Sequence, residues 1–522
     1  MNARRLWFVV ACCVALGVFF RAYHLDRKTF WEDEILGTMR MFGHTEAQVV
    51  RASPAMTHAR DAQVYLQLPA DRSSDRLANT LTALAAEDPQ HPPGYYLLGH
   101  IWAELFGTSL AAIRSLPALL GILALPCVYC LALELFRSRS TAALALALFA
   151  VSPVFVLYSQ EAREYSFWTL AIALSSITFL RASRGAVPGG WTAYAVTVAA
   201  GLYVYPLTAL VAAGHGAYLF ARAGFRVTRA FAAYLVSCAF AAAVFAPWAV
   251  HMLGNTSMGR GLAGIVGGRV GASARLAATL RDLKSPFVDL GYLHGGLAGA
   301  LNFGLGVACC ALALYALYAL ARDWPFRVWG FVVVALCAPL LPLFAYNGFV
   351  YQTRYFMPLL LGLVLAVAAL FGAALETPGR PRAVRFAWTT AFVVLATVQV
   401  LSCYRSSQAA TWWNKDAETS DRVAAAINRA KSPLLVSRHV VPSMLDLAYY
   451  LDPSVPLRVD LRCSQCSVRN PERRGLLSDT AKYADVFVLD PPGSVPGGAA
   501  YRLIDPRPFP APGSALSMFQ SV

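Results

Sequence analysis

The feature that most constrains this chain is a succession of apolar runs, most of them roughly fifteen to twenty-five residues long, separated by short arginine clusters. About 20 apolar residues in a helix cross the hydrocarbon core of a bilayer, so a chain that repeats such runs is built for a membrane. Composition agrees, with 57% of the 522 residues hydrophobic and 14% charged; a soluble globule carries more charge than that. The 44 basic against 29 acidic residues give a net charge of +15. Most of that charge is Arg, clustered between apolar segments, which reads as an orientation signal and excludes a nucleic-acid-binding surface. The Arg- and Ala-rich usage fits a GC-rich bacterial genome.

Residues 6–22 follow Arg4-Arg5 and are not followed by a small-x-small cleavage site, so they are expected to be an uncleaved first span. With Arg4 and Arg5 inside, the chain emerges outside near Tyr23. Residues 23–111 form a long first outer loop. In it Ile35, Leu36, Met39 and Phe42 recur at helical spacing, which predicts an amphipathic helix on the membrane surface. Residues 51–88 are polar, and the apolar run that ends at Phe106 is too short to span and carries His100 and Glu104. Counting that run as a span would invert the later arginine clusters, so it is expected to be a second surface helix.

The remaining spans are expected at about 112–136, 141–158, 165–181, 191–205, 206–221, 230–253, 296–320, 328–346, 355–375 and 386–402, eleven with the first. This places Arg137/Arg139, Arg181/Arg184, Arg222/Arg226/Arg229, Arg322/Arg327 and Arg380/Arg382/Arg385 on the side of Arg4/Arg5. Ser159–Glu164, the Tyr203–Pro206 turn, the Gly-rich basic 254–295 loop and Tyr346–Arg354 then face outward. Beyond residue 402 the periodicity changes. Helices at 421–430 and 443–451 alternate with strands at 433–436, 457–461 and 485–489, a small α/β domain over 403–522 outside the membrane. The expected fold class is therefore an α-helical polytopic membrane protein, residues 1–402, with this domain appended. Of eleven cysteines, Cys12-Cys13 and Cys309-Cys310 lie in apolar runs. Cys463 and Cys466 form a lone Cys-x-x-Cys without the second pair of a zinc site, leaving inert thiols or a strained local disulfide.

Trp31-Glu32-Asp33-Glu34 places three consecutive carboxylates at the outer membrane edge. A catalytic acid site and a solvated helix N-terminus, where the helix dipole favours acids, both account for them. Three further stretches occur in order on the same face: His91-Pro92-Pro93-Gly94-Tyr95-Tyr96, Ser159-Gln160-Glu161-Ala162-Arg163-Glu164-Tyr165, and Thr353-Arg354-Tyr355 with Pro358. Together the four resemble the GT-C superfamily of polyprenyl-phosphate-sugar glycosyltransferases, in the branch of protein O-mannosyltransferases and lipid A aminoarabinose transferases. The resemblance covers residues 1 to about 402.

That resemblance implies an inverting transfer of a monosaccharide from a polyprenyl phosphate to a lipid, glycan or protein acceptor at the outer face. It implies Asp33 as the general base that takes the acceptor proton, with Glu34 as its neighbour; adjacent carboxylates raise one pKa toward neutrality. The leaving phosphate calls for arginine, whose planar fork suits it better than lysine. Arg354, at the head of an outer-face span, and Arg163 are the candidates, against snorkelling or pairing with Glu161 or Glu164. Glu161 falls where related enzymes place a second acid. His91 is fixed by Pro92-Pro93 and is either a positioning or a structural residue, and Tyr355 flanks Arg354. The sequence departs from related chains at Tyr203-Val204-Tyr205, where many have Tyr-x-His, and no ligand is assigned there. No metal or other cofactor is expected: there is no tight His/carboxylate cluster, and a monophosphate leaving group does not require one. The expected location is a bacterial cytoplasmic membrane, with the N-terminus inside and the C-terminal domain outside. The rival reading is a transporter or flippase of lipid-linked sugars, which should show internal repeats and charges near mid-membrane; the sequence shows neither.

Overall fold

Long helices form where the apolar runs lie in this computed structural model, which describes residues 3–68, 75–185, 188–254, 272–290, 296–340, 353–377, 379–412, 420–437, 441–459, 483, 485–490, 501–503 and 515–521. Cys463, Cys466, residues 255–271 and residues 346–352 lie outside that set. The chain divides into two units. The first comprises Met1–Leu25, Asp88–Tyr95 and Arg114–Gln408, and the second Asp26–Glu87, Tyr96–Ile113 and Ala409–Val522.

Six helices among the described residues are long and apolar enough to cross a bilayer: Arg4–Ala22, Leu110–Phe136, Arg229–Gly254, Gly299–Asp323, Thr353–Glu376 and Arg382–Gln408. The expected spans at 165–181, 191–205 and 206–221 are the helices Tyr165–Ala182, Gly190–Val204 and Thr208–Arg222, outside that group of six. The expected single span over 141–158 is instead two helices, Arg139–Ala150 and Pro153–Ser159, bent by 57° at the break.

Pro153 causes that break. It has no N–H to give the Phe149 carbonyl, and its ring disfavours a continuous helix through the preceding turn. Four successive carbonyls at the bend are met by side chains instead. Gln399 Nε2 donates to Leu148 O at 3.1 Å, and Arg21 donates to Phe149 O at 3.4 Å and to Ala150 O at 2.6 Å. The Cys403 thiol lies 3.3 Å from Val151 O. The Arg21 helix approaches so closely that a Cβ on Gly17 would collide with the Ala150 carbonyl. Ser152 and Gln399 both also donate to Pro286 O, at 2.8 Å each, which ties the buried Phe287-Val288 segment to the bend.

The loops of this unit sort to two ends. At one, Glu134 pairs with Arg181 and Arg184 at 2.9 Å each, Ser138 donates to Glu376 at 2.7 Å and Tyr218 donates to Arg327 O at 3.0 Å. Arg4, Arg5, Arg382 and Arg385 share a cleft. At the other, Gln160 Nε2 caps the first helix by donating to Phe20 O and Tyr23 O at 2.6 and 2.9 Å, and Arg114 donates to Leu25 O at 2.8 Å. His91 contacts Glu164 at this second end. The chain thus leaves this unit at Tyr95 and returns to it at Arg114, both at this second end.

In the second unit, helix Glu32–Met41 turns Ile35 and Met39 into a core with Val49, Leu66 and residues from beyond 420, among them Leu435, Leu445 and Leu457. Strands β1 (Pro433–Ser437), β2 (Leu457–Val459), β3 (Asp485–Asp490), β4 (Tyr501–Leu503) and β5 (Ala515–Ser521) form one sheet in the order β2-β1-β3-β5-β4. β1 runs parallel to β2 and β3, and β5 antiparallel to β3 and β4. The early segment is laced into this part of the chain: Thr29 N donates to Ala410 O at 2.8 Å, Trp412 Nε1 donates to Thr29 O at 2.8 Å, and Phe30 N donates to Tyr450 Oη at 2.6 Å.

Arg21→Leu leaves Ala150 O without its side-chain donor, while Phe149 O keeps the Ser152 N–H at 3.3 Å. At about 1–3 kcal/mol for a buried unsatisfied group, it should lower the Tm of the detergent-purified protein by several degrees. Arg21→Lys, with fewer directed donors, should fall between. A leucine variant that melts with the parent would refute the assignment.

Candidate active site

The paired end of the first unit gathers most of the residues singled out in the sequence. Pro93 opens helix Pro93–Phe106, where its fixed φ suits the first turn and its missing N–H costs nothing. Gly94 is required by packing, since a Cβ there would lie 2.6 Å from Tyr203 O. This close approach sets His91, three residues earlier, against the Ser159–Glu164 turn.

His91 Nδ1 is 2.9 Å from Glu164 Oε1, and Arg163 Nη2 is 3.1 Å from His91 Nε2. A ring carrying its proton on Nδ1 satisfies both, donating to the carboxylate and accepting from the guanidinium. Arg163 Nε also lies 3.4 Å from Glu164 Oε2, and both side chains are buried. Burial works to raise the Glu164 carboxyl, but the Arg163 guanidinium and the His91 ring outweigh it and hold the group at about 2. Glu164 is thus a fixed anion, unsuited to taking a proton near neutrality.

Thr353–Phe356 forms a 3-10 turn ahead of helix Met357–Glu376. There the Arg354 guanidinium lies over two rings, 5.6 Å from that of Tyr165 and 5.5 Å from that of Tyr355. Tyr355 stacks with Tyr205 at 6.4 Å, and Tyr205 meets Tyr165 edge-on at 6.0 Å. Tyr205 thus serves this site as an aromatic wall. Glu161 is fully buried, and the Tyr158 phenol lies in the field of Glu161, Arg354, Asp282 and Arg281.

Asp282 was not legible as a site residue. It sits in helix Ala272–Lys284, within a loop the sequence marks only as basic and Gly-rich. The structure buries it: Oδ1 accepts from Thr353 Oγ1 at 2.6 Å, Arg281 Nε is 3.6 Å away, and Oδ2 has no hydrogen-bond partner among the described residues. Burial pushes its carboxyl up to about 6, with Thr353 and Arg281 opposing. It is anchored to the residue just before Arg354.

Asp33 and Glu34 belong to the second unit. Glu32, Asp33 and Glu34 fill the first turn of helix Glu32–Met41, whose N-cap Trp31 makes no side-chain capping bond. Glu32 is exposed, Asp33 half-buried and Glu34 buried. Acids in a first turn are stabilised by the helix dipole, so this placement fits the electrostatic reading as well as the catalytic one. Among the described residues no three His, Cys, Asp or Glu side chains converge as a metal site.

Comparison with known proteins adds the fold. The family profile described as dolichyl-phosphate-mannose-protein mannosyltransferase matches residues 90–251, the stretch that carries the His91 and Arg163 motifs. ArnT from Cupriavidus metallidurans bound to undecaprenyl phosphate superposes with a TM-score of 0.53 at 11% identity, covering 99% of this chain and 98% of that one. The oligosaccharyltransferase of Archaeoglobus fulgidus, in complex with zinc and sulfate, gives 0.51 at 14% identity over 92% of this chain and 68% of that one. No curated protein matches by sequence. The chain therefore has the fold of the GT-C glycosyltransferases, and the resemblance drawn from its four motifs is borne out.

Because Asp282 is more basic folded than its ordinary 3.8, the folded state holds this proton more tightly than the unfolded one. Stability should fall as pH rises from about 4 to about 6, by roughly 3 kcal/mol in all, and be flat above. Asp282→Asn keeps an acceptor for Thr353 and should flatten the fall in Tm between pH 4.5 and 7. An unchanged pH profile would remove Asp282 as its source.

Proposed function

We propose that the chain is an integral-membrane glycosyltransferase that moves a monosaccharide from a polyprenyl-phosphate donor, of the undecaprenyl or decaprenyl type, to a lipid, glycan or protein acceptor. The observation that carries the reading is the Arg354 guanidinium, braced over Tyr165 and Tyr355 at the head of a span, on a fold shared with a protein solved with undecaprenyl phosphate. A guanidinium held over aromatic rings through its π face is oriented so that its N–H fork can meet a phosphate in its own plane.

In this mechanism Arg354 takes the phosphate of the donor. Arg163, already engaged by Glu164 and His91, sets the local potential and holds the Ser159–Glu164 turn in place. The acceptor oxygen attacks the anomeric carbon from the face opposite the phosphate as Asp33 takes its proton, with Glu34 as the neighbouring carboxylate. The bond between the anomeric carbon and the phosphate oxygen breaks, the polyprenyl phosphate departs with that electron pair, and configuration inverts. Glu161 stands as a further acid toward the acceptor, and Tyr355 keeps Arg354 in register. Transfer on the extracytoplasmic face of a bacterial inner membrane, with the α/β part of residues 403–522 on that face, completes the reading.

The test uses purified protein with a panel of radiolabelled polyprenyl-phosphate sugars. Asp33→Asn should cut transfer or slow hydrolysis by at least about 100-fold, the scale of general-base catalysis, with donor binding retained. Arg354→Ala should weaken donor binding, and Arg354→Lys should recover only part of it. Turnover unchanged in Asp33→Asn would move the base elsewhere. Donor binding without turnover in any protein, together with donor movement across vesicles, would favour the transporter instead.

A further inference from the structure

The basic end of the first unit holds a second feature, about 28 Å along the first helix from the Gln160-capped end at 1.5 Å per residue. It is a cleft of about 670 Å³ between the starts of helices Ala3–Ala22 and Arg382–Gln408. Arg4, Arg5, Arg382 and Arg385 line it, with no acidic side chain among the described residues of its walls. Both helices begin there, so unsatisfied backbone N–H groups and the positive ends of two helix dipoles add to the four guanidiniums.

The apolar wall of the cleft narrows the choice of anion. Phe8 and Phe386 line it one turn inward along each helix, and they are 70% and 73% exposed. A water-soluble phosphate gains nothing from two bare phenyl rings on a hydrocarbon-facing surface. An amphiphile whose phosphate meets the arginines while its chains run down past the rings satisfies both walls at once. We infer that the cleft is a binding site for an acidic glycerophospholipid of the adjoining leaflet. Arg4, Arg5, Arg382 and Arg385 hold its phosphate groups, and Phe8 and Phe386 flank its acyl chains. Four guanidiniums can engage two phosphates bidentately, so a lipid with two phosphodiesters should bind more tightly than one with a single phosphodiester. The site is separate from the donor site and does not depend on the proposed activity.

The experiment titrates the full-length protein in neutral detergent with diphosphatidylglycerol, phosphatidylglycerol, phosphatidylcholine and inorganic phosphate, following Tm and lipid retention by native mass spectrometry. Diphosphatidylglycerol should raise Tm by several degrees and remain bound at the lowest concentration, phosphatidylglycerol should need about tenfold more, and the other two should do nothing. The pair Arg382→Gln/Arg385→Gln should lose at least tenfold in diphosphatidylglycerol affinity. So should the independent pair Arg4→Gln/Arg5→Gln, which covers the case in which the first pair fails to fold. Arg226→Gln, an exposed arginine outside the cleft, should change nothing. Equal protection by phosphatidylcholine or by inorganic phosphate would overturn the proposal, as would full diphosphatidylglycerol retention in both folded double variants or a loss in Arg226→Gln equal to theirs.

Discussion

Four backbone carbonyls at Leu148–Val151 hold the first unit together. A bilayer core offers no water to an exposed carbonyl, so a broken helix survives there only if protein groups replace the lost bonds. Pro153 breaks this one, and the donors that answer it come from helix Ala3–Ala22, through Arg21, and from helix Arg382–Gln408, through Gln399 and Cys403. Three elements far apart in sequence are thus locked at one point. The glycine at position 17 and the burial of a full guanidinium in an otherwise apolar helix follow from the same requirement. The gain is positional: the short helix Pro153–Ser159 leads straight into the turn that carries Glu161, Arg163 and Glu164.

In this unit two buried acids, Glu164 of that turn and Asp282 beside Thr353, are driven in opposite directions. Glu164 has a guanidinium and an imidazole against it and remains ionised, whereas for Asp282 burial outweighs the Thr353 hydroxyl and the Arg281 guanidinium at 3.6 Å, and its carboxyl is pushed up toward neutrality. Environments that push like groups apart are how one site holds a permanent charge and a titratable one together. The pair of Glu164 and His91 engages Arg163, while Arg354 is held over the rings of Tyr165 and Tyr355, the orientation in which it is proposed to meet a phosphate.

What the sequence made legible follows from which signals are local. Charge asymmetry between loops is local, and it sorted the arginine clusters to one end and the His91, Ser159–Glu164, Tyr203–Pro206 and Thr353–Tyr355 segments to the other. Its use against Pro93–Phe106 as a span also agrees with the return of Arg114 to the end occupied by Asp88–Tyr95. The strands at 433–437, 457–459 and 485–490 fell where their β-branched and apolar runs lie. The bend at Pro153 carried a local signal, a proline inside an apolar run, outweighed by the length of that run. Asp282 carried none, because its burial depends on Thr353, 71 positions away. Helix Glu32–Met41 was foreseen from its apolar spacing, but what it packs against was not. The partners of Ile35 and Met39 beyond residue 420 share no pattern with them that a linear reading can detect.

That last gap bears on chemistry. A ten-residue helix in a long polar loop is too short to hold itself together, and a base that is to meet one particular proton needs a geometry fixed to a fraction of an ångström. The helix that begins at Glu32 gets this rigidity from the end of the chain. The backbone just before it is fastened at Thr29 by Ala410 and Trp412 and at Phe30 by Tyr450, while Ile35 and Met39 are buried in a core shared with Leu435 and Leu445. Closing a loop of nearly four hundred residues costs little more entropy than closing one half as long, so distance along the chain is no obstacle to such an arrangement. The α/β part is thus the matrix in which the triple-carboxylate helix is set, and a change to its core should reach Asp33 without touching it.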